Sequence, residues 1–226
     1  MVVVVVIALL VVGALGVVAG RQWGPAPSPP ASTTTVTTAL GPVTQPETAI
    51  WPFASTTTRF GDPVLAAQAF ATAFLGIVNP IMGAFQQGDS RSGEVPVRAT
   101  PTGVETTILV RQLTSANSWW VLGASCPDIV VAGPSPSESI SSPVVLRGRS
   151  TAYEGVVNVE IRQDGTLAPL KSDTVMGGSM GAMGSFTKSV MFASPSSRSG
   201  ALLFRNLSAK DGHVIEASVI RVAFQK

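Results

Sequence analysis

Val156-Val157-Asn158-Val159-Glu160-Ile161-Arg162-Gln163-Asp164-Gly165 decides the fold class of this chain. Val157, Val159 and Ile161 alternate with polar residues, the period-two pattern of a strand with one face in a core, and Asp164-Gly165 is a hairpin-type turn. Working outward, residues 167–176, 184–192, 201–208 and 214–224 read as further strands, with Asp211-Gly212 as a second turn. Val219, Val222 and Phe224 keep the alternation with one irregularity. On the N-terminal side, residues 140–147 supply another strand. Six or seven short strands within about ninety residues predict an immunoglobulin-like β-sandwich.

Gly133-Pro134-Ser135-Pro136-Ser137 is a turn-forming break ahead of these strands and is expected to separate two domains. Before it, Asp62-Pro63 places a capping side chain ahead of a proline at the first helical position. Val64, Ala67, Phe70 or Ala71, Phe74 and Val78 follow at helical spacing, and Gly76 is the expected stop. Residues 94–99, 104–113 and 118–126 then read as strands, with Val104, Thr106, Ile108 and Val110 on one face, and 128–131 as a short edge strand. One helix on an antiparallel sheet is a small α+β domain. Its long hairpin ending in Trp119-Trp120-Val121 resembles that of cone-shaped nuclear-transport-factor-like domains. The predicted fold is therefore mainly β: an α+β domain over 51–133 and a sandwich over 134–226.

Residues 1–20 carry no charge or strongly polar side chain, and an apolar run of about twenty residues is what a membrane-spanning helix needs. The first charged side chain is Arg21, after the run, where the positive-inside rule would place charge before it. Val17-Val18-Ala19 also suits cleavage after Ala19. Anchor and cleaved signal both remain open, and the anchor is favoured. Residues 21–50 hold six prolines and seven threonines, a composition that buries too little surface to fold. Extended at about 3.1 Å per residue, such a linker reaches on the order of 90 Å. The expected location is the cell membrane, with the folded part extracytoplasmic, or secreted if the segment is cleaved.

Ile140-Ser141-Ser142-Pro143-Val144-Val145-Leu146-Arg147-Gly148, then Tyr153-Glu154-Gly155-Val156-Val157-Asn158-Val159, then Gly184-Ser185-Phe186 and Val190-Met191-Phe192 carry a family likeness. This stretch, roughly 138–224, resembles the immunoglobulin-like domain of bacterial spore germination proteins. The arrangement as a whole resembles membrane-anchored actinobacterial proteins. The matching positions make turns and packing, so the resemblance implies a fold and an extracytoplasmic accessory module. It implies no catalytic residue.

Charged residues are 12% of the chain, 22 glycines and 17 prolines suit loop-rich β structure, and the net charge of +2 has no basic run behind it. That composition argues against a nucleic-acid footprint. Cys126 is the only cysteine, so no intramolecular disulfide forms, and its apolar setting predicts a buried structural thiol. His213 is the only histidine and follows a turn, so neither a serine triad nor a four-ligand zinc site has its residues. No metal or cofactor is expected. Gly177-Gly178-Ser179-Met180-Gly181-Ala182-Met183-Gly184 lacks the Lys-Ser/Thr ending of a phosphate loop, and its Met180 and Met183 are candidates for an adaptable contact surface. Adjacent Trp119 and Trp120 point to opposite faces of a strand, one into the core and the other to a surface, an interdomain seam or a glycan platform.

The expectation from these features is a non-catalytic envelope module that binds a wall component or a partner protein. The alternative is a carboxylate-dependent wall hydrolase drawing on Asp89, Glu94, Glu105 or Glu154, which requires two carboxylates to converge in one pocket. The apolar segment makes a prediction of its own. Fractionation of cells carrying the tagged full chain should recover it with membranes or outside the cell. Recovery in the cytosol alone would remove residues 1–20 as a targeting segment.

Overall fold

The structure, a computed structural model, describes residues 45–225. The expected membrane segment, 1–20, and residues 21–44 of the expected linker lie outside the described residues. The fold is mainly β. After a 3-10 turn at Pro46–Thr48 comes helix α1, Pro63–Phe70. Strands β1 to β7 are Ile81–Met82, Gln86–Gln87, Ser92–Arg98, Glu105–Leu113, Ser118–Ser125, Ile129–Gly133 and Ser139–Ile140. Strands β8 to β14 are Val144–Ala152, Val156–Gln163, Pro169–Met176, Gly178–Ser179, Gly184–Val190, Ser199–Leu207 and Val214–Phe224.

Helix α1 starts as its sequence predicts. Asp62 Oδ1 accepts from Leu65 N at 2.9 Å, and Pro63 occupies the first helical position, where its missing N–H costs nothing. The helix widens into a π-turn over Ala71–Leu75 and ends at Gly76, whose φ of +83° suits glycine. Its apolar stripe, Ala66, Ala67, Phe70, Ala71, Phe74 and Leu75, is buried. Val78, beyond the stop, is exposed.

The larger sheet runs β1-β3-β4-β5-β14-β13-β9-β10, with β2 on β3 and β7 on β14. Residues Val95 and Val97 of β3, Ile108 and Val110 of β4, and Trp119, Val121 and Ala124 of β5 turn toward the helix. The smaller sheet centres on β8, flanked by β6 and β12, with β11 parallel to the end of β8. Leu146 of β8, Ile129 of β6 and Phe186 of β12 pack onto Val157, Val159 and Ile161 of β9 and Leu202 and Phe204 of β13. This is the expected sandwich, and its alternation is the one read from residues 156–163. Gly148 lets the small sheet close, because a Cβ there would lie 2.4 Å from Val130 O and 2.5 Å from the Phe186 ring.

Three expectations about boundaries are corrected. Gly133 does not separate two sheets, because β5 joins β14 through the Ala124–Val219 pair and residues of β13 and β14 enter the helix-side core. Residues 128–131, expected on the edge of the first domain, form β6 and pair with β8, since Ile129 is needed in the sandwich core. The linker does not extend to residue 50: Ile50 N donates to Val121 O at 2.8 Å, and Ala49 and Ile50 are buried. Two apolar side chains at the end of a polar stretch are enough to dock it.

A buried charge cluster fastens the helix to the sandwich. Arg162 Nη1 donates to Phe74 O at 2.8 Å, meeting one of the carbonyls that a helix end leaves without a partner. Its Nε donates to Glu160 Oε2 at 2.7 Å, its guanidinium lies 4.8 Å from the Phe74 ring centre, and Arg205 closes the cluster on Glu160 Oε1. Arg162 is 7% exposed, so its charge is compensated by these groups rather than by water. Arg162→Ala removes the donor to Phe74 O and half of the compensation of Glu160. It is expected to lower unfolding free energy by about 2–4 kcal/mol in urea denaturation, and a loss under about 0.5 kcal/mol would show the cluster to be dispensable.

Candidate functional site

The smaller sheet covers β9, β10, β13 and β14, whereas the core residues of β3, β4 and β5 turn to the helix side. The other face of β4 and β5 is therefore left open, and two hollows of about 450 and 500 Å³ lie along it. Both are lined by Leu109, Arg111 and Leu122, so they form one groove. One end reaches Gln86, Gln87 and Glu94, and the other Ser137, Ile220 and Arg221. Local irregularity shapes it. Leu109 pairs with Gly123 and Val110 with Val121, which leaves Leu122 as the extra residue of a bulge. Past the Ala124–Val219 pair the two strands separate, and Arg221 bonds both Asp164 oxygens, at 2.5 and 2.6 Å, and also Glu47 O. The incoming segment at residues 46–48 is held there, with Thr48 on the groove wall.

The groove floor is apolar and its rim carries amides, hydroxyls and arginines. Leu109, on the groove floor, is 39% exposed. Arg111 lies 3.5 Å from Asp89, whose carboxyl is held below the usual range first by the Arg91 backbone N–H and then by Ser92. The groove thus has the composition of a binding site: apolar contact area with a few fixed polar groups.

The residues singled out from sequence lie elsewhere. Trp119 and Trp120 do face opposite ways, but both are buried. The Trp119 ring meets Phe85 edge-on at 5.2 Å in the helix-side core. Trp120 is 0% exposed, packed with Ala49 and Leu113, and the Arg59 guanidinium lies 4.7 Å from its ring centre. Neither indole offers a platform to a partner, because the incoming N-terminal segment covers the face expected to be open. Met180 is 85% exposed and Met183 half-buried, and the glycine-rich loop folds back so that Gly181 N donates to Thr151 Oγ1 at 3.1 Å. With Asp128, Tyr153 and Asn206, Met180 borders a separate shallow hollow of about 250 Å³. Sequence reasoning missed the groove because Leu109 and Leu122 read as ordinary strand leucines. The one available signal was Leu109, out of phase with Ile108 and Val110.

His213 is exposed, 3.5 Å from Asp211. Among the described residues no three His, Cys, Asp or Glu side chains gather as a metal site. Glu94 lines the groove, Asp89 pairs with Arg111, Glu105 with Arg98 at 2.7 Å, and Glu154 is exposed at φ +55°. Asp89, through Arg111, and Glu94 thus stand at the same end of the groove, whereas Glu105 and Glu154 lie elsewhere.

Cys126 is buried, as expected, and belongs to a polar cluster inside the fold. Its N–H donates to Ser218 Oγ at 3.1 Å, and Ser218 Oγ donates to Ile129 O at 2.7 Å. Burial, and then the Glu216 carboxyl, push the thiol far above its ordinary value, which disfavours the thiolate form. Glu216 is 0% exposed, and Asn206 Nδ2 donates to its Oε1 at 2.9 Å. Burial pushes its carboxyl above the usual glutamate range; the Asn206 bond opposes this and Asp128 adds to it.

The architecture is that of an immunoglobulin-like sandwich sharing one sheet with a helix-covered α+β unit, with a groove on the open face. Residues 128–213 match the family model of the immunoglobulin-like domain of bacterial spore germination. The match begins at Asp128, so it takes in β6, and it ends just before β14, the strand that completes the sandwich. No curated protein and no solved structure gave a match.

Glu216 sets a pH dependence. A glutamate raised in the fold keeps its proton where the unfolded chain has released it. Its contribution is therefore full below the ordinary value of about 4.3 and is lost as pH rises through the raised value. Glu216→Gln keeps the Asn206 bond without a titrating proton. In denaturant melts its stability relative to the wild type should increase as pH rises above the ordinary glutamate value, and a constant difference would contradict the shift.

Proposed function

We propose that the folded part is a non-catalytic binding module of the cell envelope, held on the outer side of the membrane by residues 1–20, whose groove receives a wall component or a partner protein. The carrying observation is the continuous groove over Leu109, Arg111 and Leu122, which is apolar at its floor and polar at its rim. Its open form suits an extended ligand such as a glycan chain or a peptide segment. The sandwich adds support, since residues 128–213 match a domain named for bacterial spore germination, and that likeness makes a germination-related role part of the proposal.

The wall-hydrolase alternative needs two converging carboxylates. Among the described residues Glu94 lines the groove, Asp128 the hollow beside Met180 and Glu138 the hollow beside Arg147, while Asp89 reaches the groove rim already engaged by Arg111 and the Arg91 N–H. This distribution favours binding over turnover.

The test uses the full chain against soluble wall glycan fragments and wall peptides, with binding and cleavage followed together. Leu109→Glu places a charge on the half-exposed groove floor and should weaken the bound ligand at least about tenfold, about 1.4 kcal/mol, with the thermal melt nearly unchanged. Leu109→Met should bind as the wild type does. Turnover abolished by Glu94→Gln would replace the binding reading with the enzyme.

A further inference from the structure

The outer face of the smaller sheet carries a second feature, distinct from the groove. Along its central strand β8, Arg147 and Arg149 point to solvent, while Leu146, Gly148 and Ser150 point inward and are buried. On β12, Thr187 stands opposite Arg147 and Ser185 opposite Arg149. Ser189 continues that row opposite Val145, and on β6 Val130 stands opposite Arg149 and Gly133 opposite Arg147. The face therefore holds two guanidiniums flanked by a row of three hydroxyls, with no carboxylate among these positions.

Most arginines in the described chain are committed. Arg91 is bonded to Asn117 and Thr114 O, Arg98 to Glu105, Arg162 and Arg205 to Glu160, and Arg221 to Asp164. Arg147 and Arg149 have no such bond, although they sit in the middle of a sheet where cross-strand pairing with an acid is readily available. Glu138, which shares a shallow hollow with Arg147, is engaged by Ser135 N at 2.7 Å. Gly133 allows Arg147 to lie flat, since a Cβ there would be 3.2 Å from its Nε and 3.3 Å from its Nη2. The result is a level, cationic surface whose two charges repeat every second residue, about 6.8 Å apart along the strand.

We propose that this face binds a linear polyol-phosphate polymer, with Arg147 and Arg149 engaging successive phosphodiesters and Ser185 and Thr187 donating to the remaining oxygens. Charge complementarity selects an anion, and guanidinium is the side chain suited to two-pronged contact with phosphate oxygens. The repeat along β8 selects a ligand with regularly spaced charges. Val130, Val145 and the hydroxyl row offer no aromatic ring on which a base could stack, which disfavours single-stranded nucleic acid. This inference deepens the reading of the protein as an envelope-binding module and names the chemistry of one wall component. It uses residues separate from the groove.

The full chain is titrated with poly(glycerol phosphate) at two salt concentrations. Polyglutamate, a neutral dextran and a mixed-sequence DNA oligonucleotide serve as competing probes. Binding to the polyol phosphate that weakens with salt, and that falls at least tenfold in Arg147→Gln/Arg149→Gln while Leu109→Glu leaves it unchanged, is the expected result. Arg147→Lys/Arg149→Lys should retain part of the affinity, because the charge stays while the fork geometry is lost. Unchanged binding in the double glutamine variant, no binding by the wild type, or tighter binding of polyglutamate or DNA overturns the proposal. The groove reading is judged on its own variant, so either proposal can fail alone.

Discussion

Strands β13 and β14 are buried on both faces, and the rest of the molecule is arranged around that requirement. Ala201 and Leu203 of β13 and Ala217 and Val219 of β14 pack toward the helix, while Leu202, Phe204, Val222 and Phe224 pack toward the smaller sheet. A sandwich that stood alone would leave the first set in water. Exposing four apolar side chains at the centre of a sheet costs several kcal/mol at about 25 cal/mol per Å². The helix and strands β3 to β5 cover them, which is why the two halves share one sheet instead of meeting across a linker.

Buried polar groups follow the same geometry. Where the helix end meets the outer face of β9 and β13, the carbonyl of Phe74 has no access to water, and Arg162 reaches it from the sandwich side. Glu160 then holds two guanidiniums, and the cluster works as a rivet between elements remote in sequence. Such a site is costly to break: loss of Glu160 strands two guanidiniums, and loss of Arg162 leaves the Phe74 carbonyl without its donor. Glu216 shows the other solution to the same problem: placed in the interior beside Asn206, its carboxyl is pushed above the usual glutamate range by burial.

The open groove is a by-product of joining the halves unequally. The smaller sheet covers only the C-terminal strands, β5 and β14 share a single ladder pair, and the register of β5 slips at Leu122. A surface with apolar area and polar edges remains. The contrast with the arginine face is chemical: one offers area to an extended, partly apolar ligand, the other charge to a regular anion. Both are built mainly on strands, the groove taking Thr48, Gly88, Pro136 and Ser137 from segments outside them.

Much of this was legible in the residues themselves. The strand over Val156–Gln163, the Asp62-Pro63 cap, the stop at Gly76 and the burial of Cys126 are local or periodic features, and local sterics and hydrophobic alternation determine them wherever the chain folds. Other features depend on which segments meet. The alternation in Val219, Val222 and Phe224 announces a strand, but it does not say that the second face of that strand will be covered by a helix more than a hundred residues earlier. Nor does the pair Trp119-Trp120 reveal that Ala49 and Arg59 will close over the outer indole. Side-chain period specifies a face, whereas its covering is decided by long-range register. The sequence by itself determined the β class, the helix and its ends, and the family of the sandwich; only the tertiary structure decided the shared sheet, the buried tryptophans and the groove, because those arise where distant strands pair.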